Sequence, residues 1–222
     1  MVVNLCFSFL TSYQPTAASQ DALAADASHF TIRTAQVQDL VSLAEMLTDS
    51  FHSRSGIMGW AYPVLRLGIY EDLRNRLRST APHYVCLVAL AVISGVGGTR
   101  EELAGTVEIA LRSPSSWQPR RSQYPYISNL AVSKSCRRRG VAKQLLLACE
   151  QTAVDWGFPD IYLHVLENNH QARQLYLKAG YQLHQIEPSY GAWLLGHPKR
   201  LLLQKHLSTT PNSWKFVESD TK

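Results

Sequence analysis

The chain has 222 residues, 45% of them hydrophobic and 18% charged, the ordinary balance of a globular protein of one domain, with or without tails. A net charge of +5 and a pI near 9.1 attract anions but do not separate nucleic acid from nucleotide-like cofactors. Four scattered cysteines (Cys6, Cys86, Cys136, Cys149), with no Cys-x-x-Cys and no tight Cys/His cluster, exclude a disulfide scaffold and a structural zinc site, so a reduced intracellular protein without metal is expected.

The first ten residues, MVVNLCFSFL, are apolar but lack a basic flank and fall far short of the ~20 residues that cross a membrane. No membrane association is therefore expected. Residues 1–30 hold no Lys or Arg, which argues against an Arg-rich transit peptide and for a cytoplasmic chain. Residues 1–28 are read as a disordered leader, 29–207 as the domain and 208–222 as a polar tail.

Residues 29–34 read as a first strand. Thr34 is placed to cap a helix on which Val37, Leu40, Val41, Ala44, Leu47 and Phe51 recur at helical spacing. Gly56 and Gly59 break that period. A second helix is expected over 63–78, with Leu65, Ile69, Leu73 and Leu77 inward and Arg74, Arg76 and Arg78 on a solvated face. Residues 84–93 form an apolar, β-branched run typical of a covered strand; a glycine-rich turn over 94–100 leads to a returning strand over 104–112. Pro114 and Pro119 mark 113–122 as a loop.

Residues 126–132 (YISNLAV) form the next strand. A basic, glycine-containing turn, Arg137-Arg138-Arg139-Gly140, then opens directly into an apolar helix that Trp156-Gly157 closes. Exposed N–H groups at a helix N-terminus beside clustered cations make a site for a phosphorylated ligand. A strand over 160–165 carries Tyr162 and His164 on one face. A helix follows over 169–179, capped by Asn169 and stopped by Gly180, and strands over 181–187 and 200–207 complete the sheet.

Two pieces lie one strand–helix unit apart: Arg137-x-x-Gly140-x-Ala142, and Asn169-x-x-Ala172-x-x-x-Tyr176-x-x-x-Gly180-Tyr181. In this order and spacing, after NLAV, they resemble the Gcn5-related N-acetyltransferase (GNAT) superfamily over about residues 30–206. The resemblance implies an α/β fold: a mixed, mostly antiparallel sheet, split between two parallel strands, with helices on both faces. It also implies acetyl-CoA as acetyl donor. Its pyrophosphate would meet Arg137, Arg138, Arg139, Gly140, Val141, Ala142 and Lys143, and its pantetheine arm would pair with the strand ending Leu130-Ala131-Val132. Asn169, Ala172 and Tyr176 share one helix face, which in the family meets the sulfur end of the donor.

The same resemblance assigns Tyr176 as the acid for the leaving thiolate and backbone N–H groups near Val132 to the thioester carbonyl. Histone-type members carry a glutamate on the strand that here holds Tyr126. The strands YISNLAV and IYLHV instead resemble one group of protein N-terminal acetyltransferases, in which a tyrosine and a histidine take the amine proton through water. The matching residues are Tyr126 and His164, with Glu108 as the reserve base. Glu187-Pro188-Ser189-Tyr190 resembles their Glu-Pro-x-Tyr segment, although Gly191 stands where a second tyrosine is usual. NLAVSKSCRRRG is similar to the plastid and cyanobacterial branch, which makes the plastid stroma the alternative compartment. The acceptor implied is a protein or peptide amine, either an N-terminal α-amino group or a lysine. A small arylalkylamine or polyamine and a non-catalytic acetyl-CoA-binding module are the alternatives. No nucleic acid is expected, because aromatics are not interleaved with the basic run. The sequence leaves the oligomeric state open.

Overall fold

The computed structural model describes residues 30–51, 62–79, 81–95, 98–113, 123–187 and 198–207. The expected leader, the tail and the turn around Gly56 and Gly59 lie outside the described residues, as do nearly all of 113–122 and 188–199. Eleven elements follow in order among the described residues: β1 (Phe30–Thr34), α1 (Leu40–Phe51), α2 (Tyr62–Arg78), β2 (Tyr84–Gly95), β3 (Gly98–Arg112), β4 (Tyr124–Val132), α3 (Val141–Asp155), β5 (Asp160–Leu166), α4 (His170–Lys178), β6 (Gln182–Glu187) and β7 (Arg200–His206).

The strands form one sheet in the order β1-β2-β3-β4-β5-β7-β6, antiparallel throughout except between β4 and β5. That parallel pairing spans only Tyr126↔Tyr162 and Ile127↔Leu163, after which the two strands part. The expected split between two parallel strands is therefore present, and it opens toward the C-terminal ends of both.

Alternation along the strands sends side chains to two separate apolar layers. On one face Leu87, Ala89, Val107, Ile109, Ile127, Leu163 and Val165 pack with Leu145, Leu146 and Cys149 of α3, and Tyr176 of α4 joins the same cluster. On the other, Cys86 and Val88 meet Leu40, Leu43, Ala44 and Leu47 of α1 and Leu73 of α2. Each fully buried leucine or isoleucine contributes roughly 1.5–3 kcal/mol through removal of its surface from water. Helices on both faces hold the sheet rigid on either side of the split.

Three local readings are corrected. Gln36, not Thr34, opens the first helix: it forms a capping box with Asp39 around a 3-10 turn, Val37–Asp39, and Arg33 pairs with Asp39 at 2.6 Å. Leu40, Ala44 and Leu47 of the expected stripe are buried, together with Leu43 and Thr48, while Val37 and Val41 are exposed. The β2–β3 hairpin runs to Gly95 and from Gly98, longer than the glycine-rich turn suggested, because the glycines extend the pairing as far as Gly95↔Gly98. Finally, Arg76 does not lie on a solvated face. It spans from Asp72 to the buried Glu108 on β3.

Candidate active site

The β4–α3 connection is built from backbone. Arg138 (φ 65°) and Gly140 (φ 86°) both adopt the left-handed region, which turns the chain sharply before α3. No side chain caps α3, which leaves the N–H groups of Val141, Ala142 and Lys143 at its positive end. Arg137, Arg138 and Lys143 are exposed, and among the described residues no carboxylate pairs with them. Arg139 is half-buried and leans toward the Phe30 ring at 5.8 Å. Arg137 also approaches the Val132 carbonyl at 3.4 Å, at one wall of a cavity of about 420 Å³ between α1, the start of β3 and this turn. These cations and N–H groups suit an anionic ligand of pyrophosphate type.

Gly105 on β3 lets this turn sit close. A Cβ there would meet the Ala131 carbonyl oxygen and Val141 Cγ1, each at 2.9 Å. Beyond Ile127 the edge of β4 is unpaired with β5, the kind of edge to which an added strand can pair. Within that stretch β4 carries a bulge: Ser128 opposes Glu108 and Ala131 opposes Thr106, so Asn129 and Leu130 face Val107 alone. Asn129 takes the left-handed conformation (φ 54°), which asparagine tolerates better than most residues. The extra residue reverses the alternation. Ala131 consequently turns toward α1, while Leu130 and Val132 turn toward the α3 layer.

On the α1–α2 face, Tyr126 Oη lies 2.8 Å from His164 Nδ1, across the last paired step of β4 and β5. His164 Nε2 is 3.0 Å from Glu187 Oε1 of β6, at ion-pair distance but without hydrogen-bond alignment. A proton on Nε2 faces that carboxylate and leaves Nδ1 to accept from Tyr126. The Arg112 guanidinium stands 3.5 Å over the Tyr126 ring. Burial holds His164 below its ordinary value of 6.5; the positive charges of Arg200 and Arg112 act in the same direction, and Glu187 opposes them. The imidazole is neutral at neutral pH and able to take a proton.

The reserve base is placed differently. Glu108 is 2% exposed, and both its oxygens are occupied, one by Arg76 and one by Asn129 Nδ2 at 3.0 Å. Burial raises its pKa against the opposing pull of Arg76 and Asn129. Asn169 serves as the cap of α4, its Oδ1 accepting from the Ala172 N–H at 3.2 Å. Tyr176 is buried in the last turn of α4, edge-on to Tyr181 with ring centroids 6.0 Å apart.

The structure thus joins Tyr126 to His164 directly. It sets Leu130, Ala131 and Val132 along the open edge of β4 and Arg137 to Lys143 at its end, while Asn169, Ala172 and Tyr176 follow along α4 on the α3 face. Sequence reasoning missed Arg112, the contact of Glu187 with His164, and the Arg76–Glu108–Asn129 chain. One signal was available for the last: an asparagine inside an otherwise β-forming run marks a backbone irregularity.

The acetyltransferase (GNAT) family model matches residues 42–181. The chain is 34% identical over 144 residues to GCN5-related N-acetyltransferase 10, chloroplastic, of Arabidopsis thaliana, covering 63% of this chain and 56% of that protein. It is 29% identical over 194 residues to GCN5-related N-acetyltransferase 5, chloroplastic, of the same plant, covering 82% and 60%. It therefore spans somewhat under two thirds of the length of these relatives. Among solved structures, the PaiA N-acetyltransferase of Thermoplasma acidophilum in complex with coenzyme A superposes with a TM-score of 0.58 at 20% identity, over 80% of this chain and 99% of that one. Arabidopsis thaliana NAA60 in complex with a bisubstrate analogue gives 0.55 at 20% identity, over 81% and 100%. At such identity these two establish the fold.

Proposed function

The chain belongs to the acetyltransferase (GNAT) family, and we propose that it transfers the acetyl group of acetyl-CoA to the α-amino group of a protein or peptide. The observation that carries the reading is the Tyr126–His164 hydrogen bond beside the β4–β5 opening, with the imidazole kept neutral. An α-amino group titrates at ~7.7–8.0 and a lysine at ~10.4. A base weakened below the ordinary histidine value suits the first acceptor better than the second, which sheds its proton far less readily.

In this reading the C–N bond forms as the C–S bond breaks. One amine proton passes, through water, to the Tyr126–His164 pair, and Tyr176 returns a proton to the departing thiolate. The N–H groups of the β4 bulge receive the thioester carbonyl oxygen. Val141, Ala142 and Lys143 N–H groups, with Arg137 to Arg139, hold the pyrophosphate, and Asn169 and Ala172 bound the sulfur end. For the compartment, the chloroplastic names of the relatives favour the plastid stroma over the expected cytoplasm.

The test is incubation with labelled acetyl-CoA and three acceptor sets: peptides with a free N-terminus and no lysine, N-terminally blocked peptides with one lysine, and small amines. Label confined to the first set, or strongest there, supports the reading. Label on small amines alone replaces the peptide acceptor with a small one. Calorimetric titration showing no acetyl-CoA binding would remove the activity altogether, and binding without any turnover would leave a regulatory module.

A further inference from the structure

We infer that Glu108, anchored by Arg76, is a positioning residue for acetyl transfer: acting through Asn129, it holds the β4 bulge that decides which backbone N–H groups face the β4–β5 opening. The inference rests on the acetyl-transfer reading above but concerns side chains to which that reading gives no part.

Parity is the first argument. Side chains and N–H groups alternate along a strand, so one inserted residue turns everything after it to the other side. Here the insertion falls at Asn129–Leu130, two residues beyond the last β4–β5 pair. With a regular strand, Leu130 and Val132 would point to the α1–α2 face and the free N–H groups of this stretch would exchange edges. The bulge is therefore what presents the backbone of residues 130–132 correctly to a thioester carbonyl in the gap.

The second argument is what holds it. Asn129 is the only non-glycine residue with positive φ inside a described strand. Such a conformation costs an L-residue roughly 1–2 kcal/mol and needs support from its surroundings. That support is the Asn129 Nδ2–Glu108 Oε1 bond, and the second oxygen of Glu108 accepts from Arg76 of α2. Arg76 is fixed in turn by Asp72 at 2.6 Å. A fully buried carboxylate is a poor source of stability, since replacing a buried ion pair by apolar residues is often neutral. Its use lies in geometry: an acceptor for the Asn129 amide at one point and a tether from β4 to α2. Its burial and these two contacts turn the Glu108 carboxylate toward Arg76 and Asn129, a holding role distinct from that of the base.

The test compares Asn129→Gly and Glu108→Gln in the full chain. Glycine adopts the left-handed region without strain, so Asn129→Gly keeps the fold and removes only the tether. Glutamine at 108 must turn an N–H₂ toward one of two donors. Acetyl-CoA labelled with ¹³C at the carbonyl is bound to each protein and its C=O stretch read by infrared difference spectroscopy, beside kcat, KM and the Kd of CoA. The expected result is a stretch lowered in the wild type relative to solution and partly restored in both variants. With it, kcat should fall on the order of ten-fold, below the ~10²–10³-fold loss of a whole oxyanion donor, while CoA affinity, acceptor KM and the acid limb of the pH–rate profile stay unchanged. A wild-type stretch and kcat in Asn129→Gly would overturn the inference, as would a displaced acid limb in Glu108→Gln, which would make Glu108 the base. A wild type that binds no acetyl-CoA would instead overturn the acetyltransferase reading, and this inference with it.

Discussion

The two halves of the cleft are made from different materials. The half proposed to hold the donor, from Asn129 to Lys143, is built of backbone: a bulge, a left-handed glycine, an uncapped helix end and cations without carboxylate partners among the described residues. The half proposed to take the acceptor is built of side chains brought together from five strands: Arg112 of β3, Tyr126 of β4, His164 of β5, Glu187 of β6 and Arg200 of β7. A site of the first kind tolerates loss of a side chain that does not itself hold the backbone, but not a change of backbone conformation. One of the second kind should behave in the opposite way.

The largest effect should therefore come from deleting one proton-handling side chain. His164→Gln is expected to lower kcat/KM at neutral pH by ~10²–10⁴-fold, the usual worth of a positioned base. Tyr176→Phe should lower kcat by a similar factor as the acid. In both, calorimetry should find the Kd of acetyl-CoA within about two-fold of wild type, because neither change touches the β4–α3 turn and the donor is held by many backbone groups. A ten-fold weaker Kd would erase the division between the halves.

On the donor side the sensitive position is Gly140. A Cβ there meets nothing within 4 Å, so Gly140→Ala tests backbone strain alone. Forcing an L-residue to φ 86° costs roughly 1–2 kcal/mol. If the turn yields instead of the helix, that appears as a ~5–30-fold weaker Kd for CoA with kcat at saturation unchanged. The exposed Arg138 should matter less: Arg138→Ala is expected to weaken CoA binding by about two- to five-fold, in line with ~0.3–1 kcal/mol for an exposed charge near a helix end, and to flatten the dependence of Kd on salt. A loss of ~10²-fold would show that a single guanidinium, not the backbone, carries the phosphate.

The same difference in material explains what the sequence disclosed. Backbone geometry is written in residue types that few other needs select. Gly140 after three arginines and before an apolar run, with Asn169 and Gly180 bracketing a short helix, could be read directly, and the elements around them fall within a few residues of expectation. Arg112 carries no such mark. Its place over Tyr126 follows from the β3–β4 register, Ala110↔Tyr126 and Arg112↔Tyr124, which local periodicity does not set. Arg76 was legible as a charge on a helix but not as a partner of Glu108, 32 residues away, because a long side chain reaches across a helix–sheet interface that only packing defines. On α1 the stripe through Leu40, Ala44 and Leu47 was legible, but Val41 fits helical spacing as well as Leu43 does, and only packing shows that Val41 is exposed and Leu43 buried.

The smallest effect is the most specific. His164 is held below its ordinary value of 6.5 first by burial, then by Arg200, with Glu187 pulling upward and Arg112 downward. In the proposed mechanism the neutral imidazole takes the amine proton, so activity should be full above that depressed pKa and fall as pH drops through it. The acid limb of kcat/KM is expected below 6.5. Arg112→Gln removes a positive charge near the ring, which makes protonation easier and moves the limb to higher pH. Glu187→Gln removes the group that favours the imidazolium and moves the limb to lower pH. Opposite displacements from these two substitutions are what a titrating His164 requires. Displacement in the same direction, or none, would assign the limb to the acceptor amine and leave Tyr126 and His164 as a binding surface. The acceptor half would then resemble the donor half, a place that holds its substrate and does no proton chemistry of its own.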